Sequence, residues 1–128
     1  MNRLLIDTNI YSHAMRGDEE VTTILRRTGH IGISVISLGE LFSGFRGGGR
    51  EQENRLEMAR FLDSPRVHIY GVDGDSAEFY SLVLAQLKKQ GTPIPTNDIW
   101  TGAIALQNGL PLYTFDKHFS NIKGLLLC

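Results

Sequence analysis

Short apolar runs alternate with helical segments along the whole chain, and this alternation constrains the fold more than any other feature of the sequence. The runs are "LLID", "IGISVI", "VHIYGV" and "LPLYTF", and "GLLLC" could add a last short edge strand. Strands that alternate with helices are typical of a parallel sheet, because each crossover between parallel strands needs a connection of helix length. The sequence therefore predicts an α/β fold with a central parallel sheet of four or five strands.

Capping residues and helix breakers predict where some of the helices begin and end. Ser37 and Glu40 match the S-x-x-E capping box and predict a helix from about Leu38 to Phe45. By the same reasoning, Asp75 is expected to cap the helix that follows the third strand. Gly109 is expected to close the helix "NDIWTGAIALQNG", because glycine tolerates the left-handed conformation found at helix ends.

Length and composition indicate an ordinary globular chain. Its 128 residues, 41% hydrophobic and 21% charged, predict one domain over residues 1–128. No apolar run reaches transmembrane length, so no membrane partner is expected. The lone cysteine, Cys128, cannot form an internal disulfide, and a reducing cytoplasm is the simplest location. The net charge of −1 gives no bulk attraction to nucleic acid, although bound divalent cations could supply positive charge locally.

Four acidic residues are expected at the same edge of the predicted sheet. Asp7 and Asp116 each follow an apolar strand, Glu40 lies one turn into the helix after the second strand, and Asp98 lies in the first turn of a later helix. Ligands of such sheets bind outside the carboxyl ends of the strands. Two carboxylates about 4 Å apart repel by roughly 4 kcal/mol at an effective dielectric near 20. Since no lysine adjoins Asp7, Glu40 or Asp98, hard cations such as Mg²⁺ or Mn²⁺ would compensate the charge.

Each of these acids also has an ordinary structural interpretation. Asp7 and Asp116 could cap the segments that follow them, Asp98 could interact with the dipole of its own helix, and Glu40 could complete the capping box. The convergence of all four on one edge favours a metal site. Zinc is a poor alternative, because the four histidines show no paired ligand spacing and are expected to be surface or packing residues.

Four segments of the chain resemble a known family. "LLIDTNI", "ISVISLGELFSG", "TNDIWTGAIAL" and "LPLYTFDKHF" are similar, in the right order, to the acidic motifs of PIN-domain ribonucleases. The likeness is greatest to the small VapC-type toxins of bacterial toxin–antitoxin pairs. The resemblance implies a three-layer α/β/α fold and endonucleolytic cleavage of RNA that depends on Mg²⁺ or Mn²⁺. It also implies a cognate antitoxin protein as partner and a homodimer.

The resemblance also assigns roles to individual residues. It implies that Asp7, Glu40, Asp98 and Asp116 are the catalytic, metal-binding quartet, with Thr114 and Asn9 as supporting residues. Thr8 and Asn97 suit roles at the start of helices better than roles in the site. Arg46 and Arg50 in "FRGGGRE" could contact RNA phosphates or an antitoxin, or could simply belong to a helix end and a flexible loop.

Two other functions remain open at this point. A PIN-type nuclease of RNA processing or decay would use the same chemistry without an antitoxin. A phosphotransfer or phosphatase domain is a more remote alternative, since dehalogenase-like phosphatases need a second aspartate two residues after the first, where this chain has Asn9. A non-catalytic binding module is disfavoured by the presence of all four acids. Nothing in the sequence selects a particular RNA.

Overall fold

A computed structural model describes residues 2–128, and within them four strands form one parallel sheet. The strands are β1 (Arg3–Ile6), β2 (His30–Ser34), β3 (Val67–Tyr70) and β4 (Leu112–Tyr113). The helices are α1 (Thr8–Met15), α2 (Glu19–Arg26), α3 (Val35–Gly47), α4 (Glu51–Asp63), α5 (Gly74–Gln90) and α6 (Thr96–Asn108), and a 3₁₀ helix covers Lys117–Asn121. The strand order is β3-β2-β1-β4, which places β1 inside the sheet.

The core lies on both faces of β1, because successive side chains of a strand point to opposite sides of the sheet. Leu4 and Ile6 pack with buried residues of α1, α2, α3 and α4. Leu5 packs on the other face with buried residues of α5 and α6. All three of these side chains are fully buried. The three-layer α/β/α arrangement and the parallel sheet are therefore confirmed.

The predicted start of α3 is wrong by three residues. Strand β2 ends at Ser34, whose side chain accepts a hydrogen bond from the Ser37 amide at 3.1 Å and caps the helix. Ser37 is thus the third helical residue, and Ser37 and Glu40 do not form a capping box. The β-branched residues Val35 and Ile36 extended the predicted strand, but the local cap and the packing of α3 override that propensity.

The start of α5 is also corrected, whereas the end of α6 is as predicted. Asp73, not Asp75, caps α5: its carboxylate accepts from the Ser76 amide at 3.0 Å, and the Ser76 hydroxyl accepts from the Asp73 amide at 3.0 Å. This reciprocal pair is a capping box. Helix α6 ends at Gly109, which has the left-handed φ of 63°.

The last strand is shorter than its sequence predicts. "LPLYTF" forms only Leu112–Tyr113, and "GLLLC" contributes a single parallel bridge from Leu127 to Leu112. Pro111 has no amide hydrogen to donate, and β1, the partner of β4, ends at Ile6 where α1 begins. Thr114, Phe115 and Asp116 therefore leave the sheet at its carboxyl edge.

Tight packing holds the residues after β4 against α6. A Cβ on the buried Gly102 would lie 2.6 Å from the Cδ1 atom of Ile122, so Gly102 permits the chain after the 3₁₀ helix to approach α6 closely. Among the helices of the described residues, none has both the length and the apolar character needed to cross a membrane.

Candidate metal centre

Asp7 lies at the centre of the candidate site. It follows β1 directly and is also the N-cap of α1, with its Oδ1 atom accepting from the Thr8 amide at 2.8 Å. The Thr114 hydroxyl donates to the other carboxylate oxygen at 2.8 Å. Only 3% of Asp7 is exposed, and this burial raises its pKa, although the bonds from Thr114 and Thr8 act in the opposite direction.

Asn9 and Thr114 connect Asp7 to Asp116. The Asn9 side-chain amide lies 3.5 Å from an Asp7 oxygen and 3.3 Å from an Asp116 oxygen. The Asp116 backbone amide donates to the Thr114 hydroxyl at 3.0 Å. The Asp116 side chain makes no capping hydrogen bond to the 3₁₀ helix. Its carboxylate is thus oriented toward the first acidic motif.

Glu40 reaches the same edge from the second turn of α3. The Thr8 hydroxyl donates to its Oε1 atom at 2.9 Å, and the Asn97 amide lies 3.5 Å from its Oε2 atom. Thr8 and Asn97 therefore do more than start their helices. An open groove of about 400 Å³ runs beside Glu40. It is lined by Val35, Ile36, Gly39, Glu40, Ser43 and Asn97.

Asp98 contacts a histidine that the sequence did not single out. The Nε2 atom of His118 lies 2.5 Å from the Oδ2 atom of Asp98. One ligand atom from each of Asp98, Asp116 and His118 lies within 4.8 Å of the others. The expectation that the histidines serve only as surface or packing residues is wrong for His118. Its position two residues after Asp116 was the available signal.

The four carboxylates are close enough to influence one another electrostatically. Burial is the main cause that raises the pKa of Asp98; His118 lowers it, and the charges of Asp116 and Glu40 raise it further. Asp98 and Asp116 also raise the pKa of Asp7. Within residues 2–128, the donors to these carboxylates are threonine, asparagine, histidine and backbone groups, with no lysine or arginine among them. A set of carboxylate oxygens with no lysine or arginine among its donors fits a hard divalent cation.

The two candidate arginines lie outside this cluster. Arg46 is in the last turn of α3 and is exposed. Arg50 precedes α4 and pairs with Glu53, with an Nη2–Oε2 distance of 2.5 Å. They lie on either side of the glycine run 47–49, where α3 ends and the connection to α4 begins, and their predicted contacts with RNA or antitoxin stay a prediction.

A family model and several known proteins are similar to this chain over nearly its whole length. The family model of the PIN domain matches residues 4–125. Ribonuclease VapC4 of Mycobacterium tuberculosis is 26% identical over 123 residues, which cover 94% of this chain and 91% of VapC4. Among solved structures, VapBC2 from Rickettsia felis, bound to a DNA fragment from its promoter, matches with a TM-score of 0.88 and 24% identity, covering 98% of this chain and 96% of the other. A toxin–antitoxin complex from Klebsiella pneumoniae matches with a TM-score of 0.71 and 25% identity, covering 96% and 95%. Because the family model spans nearly the whole sequence, the chain belongs to the PIN domain family.

Proposed function

We propose that this protein is a metal-dependent endoribonuclease that cleaves RNA phosphodiester bonds. The observation that carries the proposal is the convergence of Asp7, Glu40, Asp98 and Asp116 at one sheet edge, where no described lysine or arginine neutralises them. The similarity to ribonuclease VapC4 supports RNA as the substrate.

The four carboxylates suit Mg²⁺ or Mn²⁺, because both ions prefer oxygen ligands. Asp7, Asp98 and Asp116, together with Glu40, would hold the ion. A cation held there would lower the pKa of a bound water and stabilise the oxygen that leaves the phosphorus.

The neutral residues around the carboxylates fix their orientation. The Thr114 hydroxyl holds one oxygen of Asp7, and Asn9 spans Asp7 and Asp116. Thr8 holds Glu40 from α1. These bonds place the carboxylates before substrate arrives, which lowers the cost of reorganisation during the reaction. The groove beside Glu40 is where an RNA strand would approach that carboxylate.

We further propose that the protein is the toxin of a type II toxin–antitoxin pair and acts in the cytoplasm as a homodimer. The likeness to a toxin–antitoxin complex from Klebsiella pneumoniae supports an antitoxin partner. Arg46 and Arg50 are the proposed contacts for RNA phosphates or for the antitoxin, because arginine pairs well with phosphate and carboxylate groups.

Cleavage assays with matched variants test the proposed activity. The purified protein should cut RNA in Mg²⁺ or Mn²⁺ and stop in EDTA, and Asp98→Asn should abolish cleavage because it removes a ligand charge while nearly keeping the shape. Asp75→Asn, an exposed aspartate in the first turn of α5, is the control and should retain activity. Undiminished cleavage in EDTA, or an active Asp98→Asn protein, would contradict the proposal. Sequencing the RNA ends produced during brief expression then identifies the substrate.

A further inference from the structure

We infer that His118 is a ligand of the metal ion held by the carboxylates, and that it gives the site a preference for Mn²⁺ over Mg²⁺. The inference rests on the proposed function, because it concerns the same metal site. It adds a nitrogen donor to a site whose other donors are oxygens.

The first argument is the position of the imidazole. Its Nε2 atom lies 2.5 Å from the Oδ2 atom of Asp98. Ligand atoms of His118, Asp98 and Asp116 all lie within 4.8 Å of one another. Ligand atoms bound to one ion at about 2.1 Å are at most about 4 Å apart. A small side-chain movement therefore brings all three groups to a common ion.

The second argument is that His118 is held in place yet can change its tautomer. It lies in the 3₁₀ helix beside the fully buried Phe119, and the two rings pack with centroids 5.1 Å apart. One third of the His118 side chain is exposed. A neutral imidazole that keeps its hydrogen on Nδ1 has a lone pair on Nε2. In that tautomer Nε2 is available to the metal.

The competing arrangement has His118 donating from Nε2 to Asp98 and never touching the ion. The two arrangements differ in metal preference. Imidazole is a good ligand for transition metals, whereas Mg²⁺ prefers oxygen ligands and keeps several waters. A ligating His118 should therefore strengthen Mn²⁺ binding far more than Mg²⁺ binding. A histidine that only orients Asp98 should affect both ions alike.

Pulsed electron paramagnetic resonance of Mn²⁺ bound to the metal-free full-length protein tests the inference directly. The wild-type protein should show coupling between Mn²⁺ and an imidazole nitrogen, and ¹⁵N-labelled histidine should change the coupling. His118→Gln keeps a side-chain amide that can donate to Asp98 but removes the imidazole. It should abolish the coupling and weaken Mn²⁺ binding more than it weakens Mg²⁺ binding, as measured by competition. His68→Gln, in β3, is the matched control and should keep the coupling.

The outcomes distinguish failure of the inference from failure of the proposed function. Mn²⁺ binding without nitrogen coupling in the wild-type protein would overturn the ligand role of His118 and leave the carboxylate site intact. Coupling that persists in His118→Gln would assign it to another histidine and would also overturn the inference. No Mn²⁺ binding at all would overturn the metal site and the inference together. If His118→Gln fails to fold, His118→Asn replaces it with the same expected loss of coupling.

Discussion

The carboxyl group of Asp7 lies where water scarcely reaches it. Burial is the largest influence on its pKa and raises it, while the hydrogen bonds from Thr114 and the Thr8 amide only partly oppose that effect. A carboxylate whose pKa is raised by folding holds its proton more tightly in the folded state. It therefore contributes stability at pH values below its ordinary pKa, and this contribution is lost as the pH rises through the raised value in the folded protein.

Asp7→Asn should make the metal-free protein less sensitive to rising pH. Asparagine has no charge at any pH, so the melting temperature of the variant relative to wild type should increase as the pH rises above about 4, the ordinary pKa of aspartate. The substitution also changes the hydrogen bonds with Thr8 and Thr114. This change affects the melting temperature of the variant by the same amount at every pH. Thermal unfolding followed by circular dichroism in EDTA measures the trend. A difference between the two proteins that stays constant with pH would contradict the argument.

Glu40→Gln should show whether the negative charge of Glu40 is needed for activity, because the substitution removes the charge while nearly keeping the shape of the side chain. Ser34 caps α3, so Glu40 has no capping role to lose, and glutamine can still accept from Thr8. We expect a melting temperature close to that of wild type without metal, together with loss of most cleavage and of Mn²⁺ affinity. Glu78→Gln, on an exposed part of α5, is the control and should change neither property. A folded and fully active Glu40→Gln protein would remove Glu40 from the site.

The sequence indicated the acidic residues of the candidate site more readily than the side chains that donate hydrogen bonds to them. Asp7 and Asp116 were found because a carboxylate directly after an apolar strand is unusual and has a known place in a parallel sheet. Thr8, Asn97 and His118 were assigned other roles because their bonds depend on how separate helices meet. The distance between Thr8 and Glu40, for example, is set by the packing of α1 against α3. Local sequence does not contain that information.

At the level of the helices, the sequence offered two possible N-caps for α3 and two for α5. The two candidates of each helix lie no more than three residues apart. Both Ser34 and Ser37 could accept a hydrogen bond from an amide three residues later, and both Asp73 and Asp75 precede a helical pattern. The residue that keeps extended backbone angles becomes the cap, and the structure assigns these angles to Ser34 and Asp73. For α3 the end of β2 at Ser34 therefore coincides with the cap, whereas α5 begins after a short loop that follows β3.

Ser34→Ala should destabilise the protein more than Ser37→Ala. The Ser34 hydroxyl accepts the Ser37 amide at 3.1 Å, so its removal should cost about 1 kcal/mol of unfolding free energy. The Ser37 hydroxyl has only the long 3.4 Å contact with Ser34 to lose, and both side chains are equally buried. Urea denaturation of the two variants measures the difference. Equal losses, or a larger loss in Ser37→Ala, would contradict the assigned cap.

At the scale of the whole molecule, the parallel topology explains why the meeting of the acidic residues at one edge could be predicted from the sequence. The alternation of strands and helices was enough to predict a parallel sheet, and its carboxyl edge gathers residues 7, 98 and 116 from distant parts of the chain. Strand length was harder to predict. The run "LPLYTF" is long enough for six strand residues, but β1 offers partners for only two of them.

Metal binding should stabilise the entire fold, because the ligands come from segments that meet only in the native state. An ion that binds the folded protein alone adds about 2.7 kcal/mol at a concentration one hundred times its dissociation constant. For a domain of this size, that energy should raise the melting temperature by roughly 10 °C. The measurement is thermal unfolding with saturating Mn²⁺ and with EDTA, for wild type and Asp98→Asn. The variant should lose most of the increase, since it lacks one ligand charge, whereas Asp75→Asn should keep it. An equal increase in wild type and Asp98→Asn would show that the stabilising ion binds elsewhere on the protein.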